Sequence, residues 1–267
     1  MVHKAIVATA LLMAGQGTGW ANPAFPQDPL ASPMWEAHAR TLFGDDPVRF
    51  DDRVHVIFPE LAENQRVFPV AVDARGIVGV KRIVLFADLN PIPVAVDYRP
   101  TAAQPYLATR IKLDQRTPVR GAVQLADGSW LVSGGWIDAA GGGCSAPPVS
   151  RVKGDWAQHL GEMRGEALAN KDSARLRVTF RHPMDTGLVE NISTYYIETL
   201  SVKDSGGKSL GDMDIWASVS EDPAFTILPI VHDGETLTID ARDTNGRDYG
   251  GRIKVSPRPS GTLALSQ

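Results

Sequence analysis

The feature that most constrains this 267-residue chain is a side-chain pattern of period two. From about Val54 to Asp138, apolar and polar residues alternate in short runs with no helical stretch between them. Val80, Val84 and Phe86 fall on one face of a strand, and Ile83, Leu85 and Ala87 on the other. Leu107, Thr109, Ile111 and Leu113 alternate with Ala108, Arg110 and Lys112, and Val119, Gly121, Val123 and Leu125 repeat the habit. Successive side chains of a strand point to opposite faces, so this alternation selects sheet over helix. Asp127-Gly128 stands between two such runs as a hairpin turn, and Asn90-Pro91-Ile92-Pro93 bends the chain between strands. Strands at short, even intervals predict a β-sandwich.

The pattern returns in the second half. Leu176, Val178 and Phe180 alternate with Arg175, Arg177, Thr179 and Arg181. Further strand-like runs cover 195–202, 215–219, 225–231, 237–241 and 253–255. Ser205-Gly206-Gly207, Asp233-Gly234 and Asn245-Gly246 separate them, with Asp233-Gly234 a second hairpin candidate. The expectation is an all-β chain of two sandwiches, over 22–145 and 174–267, joined by a linker at 146–173. Inside the linker, Trp156, Leu160 and Met163 recur at helical spacing and predict a short helix over 156–169. Another short helix should follow Ser32-Pro33, with Trp35, Ala39, Leu42 and Phe43 facing a core and Gly44 as its stop.

At the N-terminus, Lys4 precedes the apolar run Ala5–Ala14, which is too short to span a bilayer. Gly19 and Ala21 supply small residues at the −3 and −1 positions, so residues 1–21 read as a secretory signal peptide cleaved after Ala21. No later segment reaches transmembrane length. The net charge of −4 is mild and no block of like charges occurs, which argues against nucleic acid or an anionic membrane as partner.

One cysteine occurs in the chain, in Gly141-Gly142-Gly143-Cys144-Ser145-Ala146-Pro147-Pro148. Three glycines predict a mobile segment before the thiol, and two prolines stop regular structure after it. The expectation is a thiol presented to solvent; the alternative is a buried cysteine acting as a small hydrophobe. In an oxidising compartment a single cysteine cannot close an internal disulfide, which leaves a reactive thiol or a disulfide-linked dimer through Cys144. Arg151 and Lys153 are the only charged residues between Asp138 and Asp155, and nearby cations favour the thiolate.

Other chemistry finds little support. The six histidines are not spaced for a shared metal site, one cysteine cannot build a zinc or iron–sulfur site, and no phosphate-cradling motif occurs. Neither a metal nor a cofactor is expected. The surroundings of Cys144 lack the glycine of a nucleophile elbow, and no histidine spacing supports a Cys/His hydrolase. His182, in Arg181-His182-Pro183-Met184-Asp185-Thr186-Gly187-Leu188, reads as part of a shaped turn, structural or at an interface.

Leu89-Asn90-Pro91-Ile92-Pro93, Ala108-Thr109-Arg110-Ile111-Lys112, Val119-Arg120 and Asp127-Gly128, leading into the glycine-flanked cysteine, resemble SoxY, the covalent carrier subunit of bacterial sulfur oxidation. The 181–188 motif, Tyr196-Ile197, Trp216 with Ser218-Val219-Ser220-Glu221-Asp222-Pro223, and Asp243-Thr244-Asn245-Gly246 resemble its partner SoxZ. The order on one chain is similar to the fused SoxYZ-like carriers found alongside quinoprotein dehydrogenases. The resemblance implies two immunoglobulin-like domains and a periplasmic, non-enzymatic carrier. Cys144 would hold thiosulfate-derived or other thiol-reactive cargo, with Gly141, Gly142, Gly143 and Ser145 as its arm. Partners would be Sox-type cytochromes and hydrolases or a PQQ dehydrogenase system. The alternatives are a docking protein for such a dehydrogenase or cytochrome without covalent chemistry, and a thiol-dependent hydrolase.

Overall fold

The computed structural model describes residues 25–154 and 156–258, so the expected signal peptide lies outside the described residues. Helix α1 (Trp35–Phe43) precedes β1 (Val48–Phe50), β2 (His55–Ile57), β3 (Phe68–Asp73), β4 (Val80–Ala87), β5 (Val94–Arg99), β6 (Ala103–Ile111), β7 (Thr117–Leu125) and β8 (Trp130–Ile137). The second half holds helix α2 (Val149–Lys153), β9 (Met163–Ala169), β10 (Ala174–Phe180), β11 (Ile197–Lys203), β12 (Ser209–Ile215), β13 (Ala224–Pro229), β14 (Thr236–Asp243) and β15 (Asp248–Ser256). Strand order is β1-β8-β7-β4-β5-β12-β11-β14-β15-β9-β10-β13-β6-β3-β2. The protein is all-β, built from two immunoglobulin-like sandwiches.

The sandwiches are joined edge to edge in both layers. Antiparallel β5 and β12 (Val96 opposite Ile215) continue one layer, and antiparallel β6 and β13 (Leu107 opposite Ile227) continue the other. At the far end β15 closes the layers by pairing with β14 and, in parallel, with β9. One apolar core therefore runs through both halves, from Val72, Ile83, Leu85 and Leu107 to Leu176, Val202, Ile227 and Ile239. Each joint leaves fewer open strand edges, and an open edge is a template for unwanted pairing.

Helix α1 covers the outside of the first layer. Trp35, Ala39 and Phe43 pack on Val84, Phe86, Ala122, Trp130 and Val132, while Ile83, Leu85 and Ala87 of the same β4 face the main core. Both faces of β4 are thus buried. Gly44 ends the helix at φ +59, where a side chain would be strained. Asp127-Gly128 turns β7 into β8, Leu125 N–H donating to Ser129 O at 2.8 Å.

Three expectations are corrected. The helix over 156–169 is absent: Trp156–Gln158 makes one 3₁₀ turn, and Met163–Ala169 is β9, paired along its length with β10. Pairing on both edges outweighs the weak helical preference of those side chains. The run 215–219 is not a strand; β12 ends at Ile215, and Val219 N–H closes a turn on Trp216 O at 3.0 Å. Asp233-Gly234 turns the chain between β13 and β14, which lie in different layers and do not pair as a hairpin.

Candidate functional site

The arm carrying Cys144 leaves β8 and lies along the seam between the two sandwiches. In the structure its glycines are tightly packed. Gly142 N–H donates to Asp114 O (3.2 Å), Gly143 N–H to Leu113 O (3.1 Å), and Gln65 Nε2 to Gly141 O (2.9 Å). A Cβ on Gly143 would overlap the carbonyl oxygens of Gln65 and Leu113, and Gly141 sits at φ +97. Here glycine serves close approach and a left-handed turn, so the arm is packed rather than presented.

Asp114 anchors the arm at the cysteine. Its Oδ1 accepts from Cys144 N–H (3.0 Å), Ser145 N–H (3.1 Å) and Ser145 Oγ (3.0 Å). Asn90 fixes the anchor in turn: its Oδ1 accepts from Asp114 N–H at 3.0 Å and its Nδ2 donates to Lys112 O at 2.7 Å. The second sandwich holds the other side. Thr186 Oγ1 donates to Cys144 O at 2.7 Å, and Glu221 accepts from Val149 N–H (2.7 Å) and Ser150 N–H (2.6 Å) at the start of α2.

Cys144 is 1% exposed, contrary to the expected solvent-facing thiol, and its charged neighbour is not the one the sequence suggested. Arg151 forms an ion pair with Asp185 and stacks on Trp156 with its guanidinium carbon 4.0 Å from the ring centroid. Lys153 is exposed on α2. Lys112 instead lies beside the thiol. It is 5% exposed, and its Nζ donates to Met184 O and to Ala217 O, the latter at 2.7 Å. Burial pushes the Cys144 thiol up to about 12 although Lys112 pulls it down, and Asp114 adds to the rise. Burial pushes the Lys112 ammonium down to about 8, offset in part by Cys144, Asp185 and Glu221. At neutral pH the stowed pair is therefore thiol and ammonium, and the thiol form is a poor nucleophile.

The 181–188 motif forms the second sandwich's share of this berth. Met184 sits at φ +52, which turns its carbonyl onto Lys112 and brings Asp185 and Thr186 to the arm. His182 supports the turn: its Nδ1 accepts from Met184 N–H at 3.1 Å, and its ring lies 4.5 Å from that of Tyr195. Burial lowers it to about 4 despite Asp243, so it is neutral at physiological pH. A shaped turn with a structural histidine was the expectation for this segment. Sequence reasoning missed Lys112, Asp114, Thr186 and Glu221 as site residues, although three of these four lie within the motif segments quoted above.

Among the described residues, no cluster of three or more His, Cys, Asp or Glu is arranged to hold a metal ion. No helix there is long and apolar enough to cross a membrane.

Residues 39–144 match the family model described as Sulfur oxidation protein SoxY, a match that ends on Cys144. Residues 163–254 match that described as Sulphur oxidation protein SoxZ. Among solved structures, the sulfur carrier protein SoxY from Chlorobium limicola f thiosulfatophilum is 21% identical over 40% of this chain and 91% of that chain, with a TM-score of 0.36. A β-glycosidase from Bacteroides vulgatus is 11% identical over 79% of this chain and 25% of that chain, with a TM-score of 0.24. No curated protein matches the chain.

Proposed function

Since this chain belongs to the fused SoxYZ-like sulfur carriers, a SoxY domain followed by a SoxZ domain in one polypeptide, we propose that Cys144 takes up the sulfur cargo covalently and presents it to partner redox enzymes in the periplasm. The observation that carries this reading is the berth itself. The only sulfur nucleophile of the chain sits where both domains converge, held by hydrogen bonds that can be released and remade. In the berth burial raises the pKa of the thiol and weakens it as a nucleophile, so leaving the berth makes it more reactive.

Two exchanges suit such a thiol. A freed thiolate attacks a sulfane sulfur, the new S–S bond forms, and the donor departs as a thiolate. Joining thiosulfate directly instead releases the thiol proton and two electrons, which a partner redox enzyme has to accept. In this reading the carrier supplies no catalysis of its own, and the partners are Sox-type cytochromes and hydrolases or a PQQ dehydrogenase system. Burial of the thiol is the observation that favours the second reading, a docking protein that uses no covalent chemistry.

Intact mass of the protein purified from the periplasm, before and after dithiothreitol, separates the readings. The carrier gives a reductant-removable increment that is absent from Cys144→Ser. A mass of twice the chain that collapses on reduction identifies a dimer through Cys144. A bare chain made alongside its partners, with full function retained in Cys144→Ser, selects the docking protein.

A further inference from the structure

The root of the arm borders a second feature that carriage of cargo on Cys144 does not use. A cavity of about 250 Å³ opens between β6 of the first sandwich, α2, and the loops that flank β10 and β13 of the second. Arg110, Ser150, Lys153, Arg181, Glu221 and Asp222 line it. A neighbouring cavity of about 410 Å³ shares Arg110, Arg181 and Asp222 and adds Arg164. The smaller cavity alone has room for several waters or one small anion with its hydration.

Donors in this cavity outnumber the acceptors available to them. Arg110 Nε is buried without a partner, and so is the hydroxyl of Ser150, a residue only 6% exposed. Both carboxylates that line the cavity are already engaged. Glu221 takes the Val149 and Ser150 N–H groups, one on each oxygen. Asp222 takes Arg181 on one oxygen and His182 N–H, at 3.1 Å, on the other. Burial and the adjacent Arg177 push the Arg110 guanidinium below its ordinary value, which Asp222 only partly offsets. A half-buried cation with an unmatched N–H, lining the same cavity as a buried unmatched hydroxyl, is costly unless something accepts from them. A tetrahedral oxyanion does so, since its oxygens diverge toward several donors and its charge matches the arginines.

We propose that this cavity is a binding site for a small tetrahedral oxyanion, of which sulfate and thiosulfate are the sulfur members, held by Arg110, Ser150, Arg181 and Lys153 at the root of the arm. The ligand class agrees with the cargo expected of a sulfur carrier, but the site does not depend on Cys144.

Isothermal titration of the full-length Cys144→Ser protein with sulfate, thiosulfate and phosphate, at constant ionic strength in chloride, tests the proposal without thiol chemistry. The expected result is saturable 1:1 binding, weakened about tenfold or more by Arg110→Gln and about three- to tenfold by Ser150→Ala, as loss of hydrogen bonds to a charged group implies. Arg110 also donates to Asp222 O at 2.7 Å, so Ser150→Ala and Lys153→Gln keep the test valid if Arg110→Gln folds poorly. Equal affinity for phosphate supports a general oxyanion site, and preference for the sulfur anions supports one matched to cargo. Absence of saturable binding, or binding undiminished in Ser150→Ala and Arg110→Gln, overturns the proposal. Because the protein tested lacks the thiol, none of these outcomes bears on whether Cys144 carries cargo.

Discussion

The first sandwich buries two cations, and they are treated in opposite ways. Arg120 is wholly enclosed and paired with two carboxylates: its Nε donates to Asp88 (3.0 Å), its Nη2 to Asp28 (2.7 Å), and its guanidinium lies over Trp35 with 4.8 Å to the ring centroid, while its Nη1 has no partner. Lys112 is nearly as deep, yet only the carbonyls of Met184 and Ala217 accept from its ammonium. A cation between two carboxylates has its field cancelled locally and ties the N-terminal segment to β7. A cation held by neutral carbonyls keeps its field, which in a low-dielectric interior acts strongly on whatever lies beside it. Beside Lys112 lies Cys144. The comparison separates a charge paired with carboxylates from one that acts on the thiol within a single core.

The largest effect that could break this contrast is on stability. Arg120→Met leaves Asp28 and Asp88 buried without their cation and should cost about 3–5 kcal/mol in urea unfolding. Lys112→Met removes a buried charge that no carboxylate contacts directly and leaves two neutral carbonyls without their donor, so its cost should be about 1–3 kcal/mol at most. Equal losses in the two variants would show that Lys112 is as structural as Arg120.

The pH dependence of stability sharpens the same contrast. Lys112 titrates near 8 in the folded protein against an ordinary value of 10.5, so between those limits the unfolded chain holds the extra proton and stability rises with pH. Cys144 titrates near 12 against an ordinary 9.0, so above pH 9 the folded chain holds the extra proton and stability falls as pH rises. The two trends oppose each other in the native protein. Cys144→Ser should therefore gain stability from about pH 8 to 10.5, and Lys112→Met should lose it above about pH 9. Urea midpoints measured across pH 7–11 read both slopes, and matching profiles for the two variants would refute the pairing.

The strands were legible from side-chain alternation: in β10 burial follows it, with Leu176, Val178 and Phe180 inside and Arg175 and Arg177 exposed, whereas in β4 and β7 both faces are buried. β9 was not, since Met163, Ala167 and Leu168 are also good helix formers, and only pairing with β10 and β15 decides the matter. The glycine run gave the place of the site but not its state. Glycine permits both mobility and close contact, and what selects contact here is the carbonyls of Gln65 and Leu113, far away in sequence. Lys112 read as one polar position in an alternating run. Its burial comes from residues 184 and 217, which belong to the other sandwich, and no local pattern encodes that contact.

The smallest expected effect is the most discriminating about which cation serves the thiol. Lys153 is nearer to Cys144 in sequence than Lys112 is, and proximity along the chain made it a candidate support for the thiolate. Exposed on α2, its charge is screened by water and salt within a Debye length of about 8–10 Å. Lys153→Gln should therefore leave the pH profile of Cys144 alkylation by iodoacetamide within about twofold of the native protein. Lys112→Met should move the same profile upward, because the Lys112 charge is what opposes the effect of burial on the thiol. If Lys153→Gln moved the profile as far as Lys112→Met, the thiol would be reacting from an open arm close to α2 rather than from the berth.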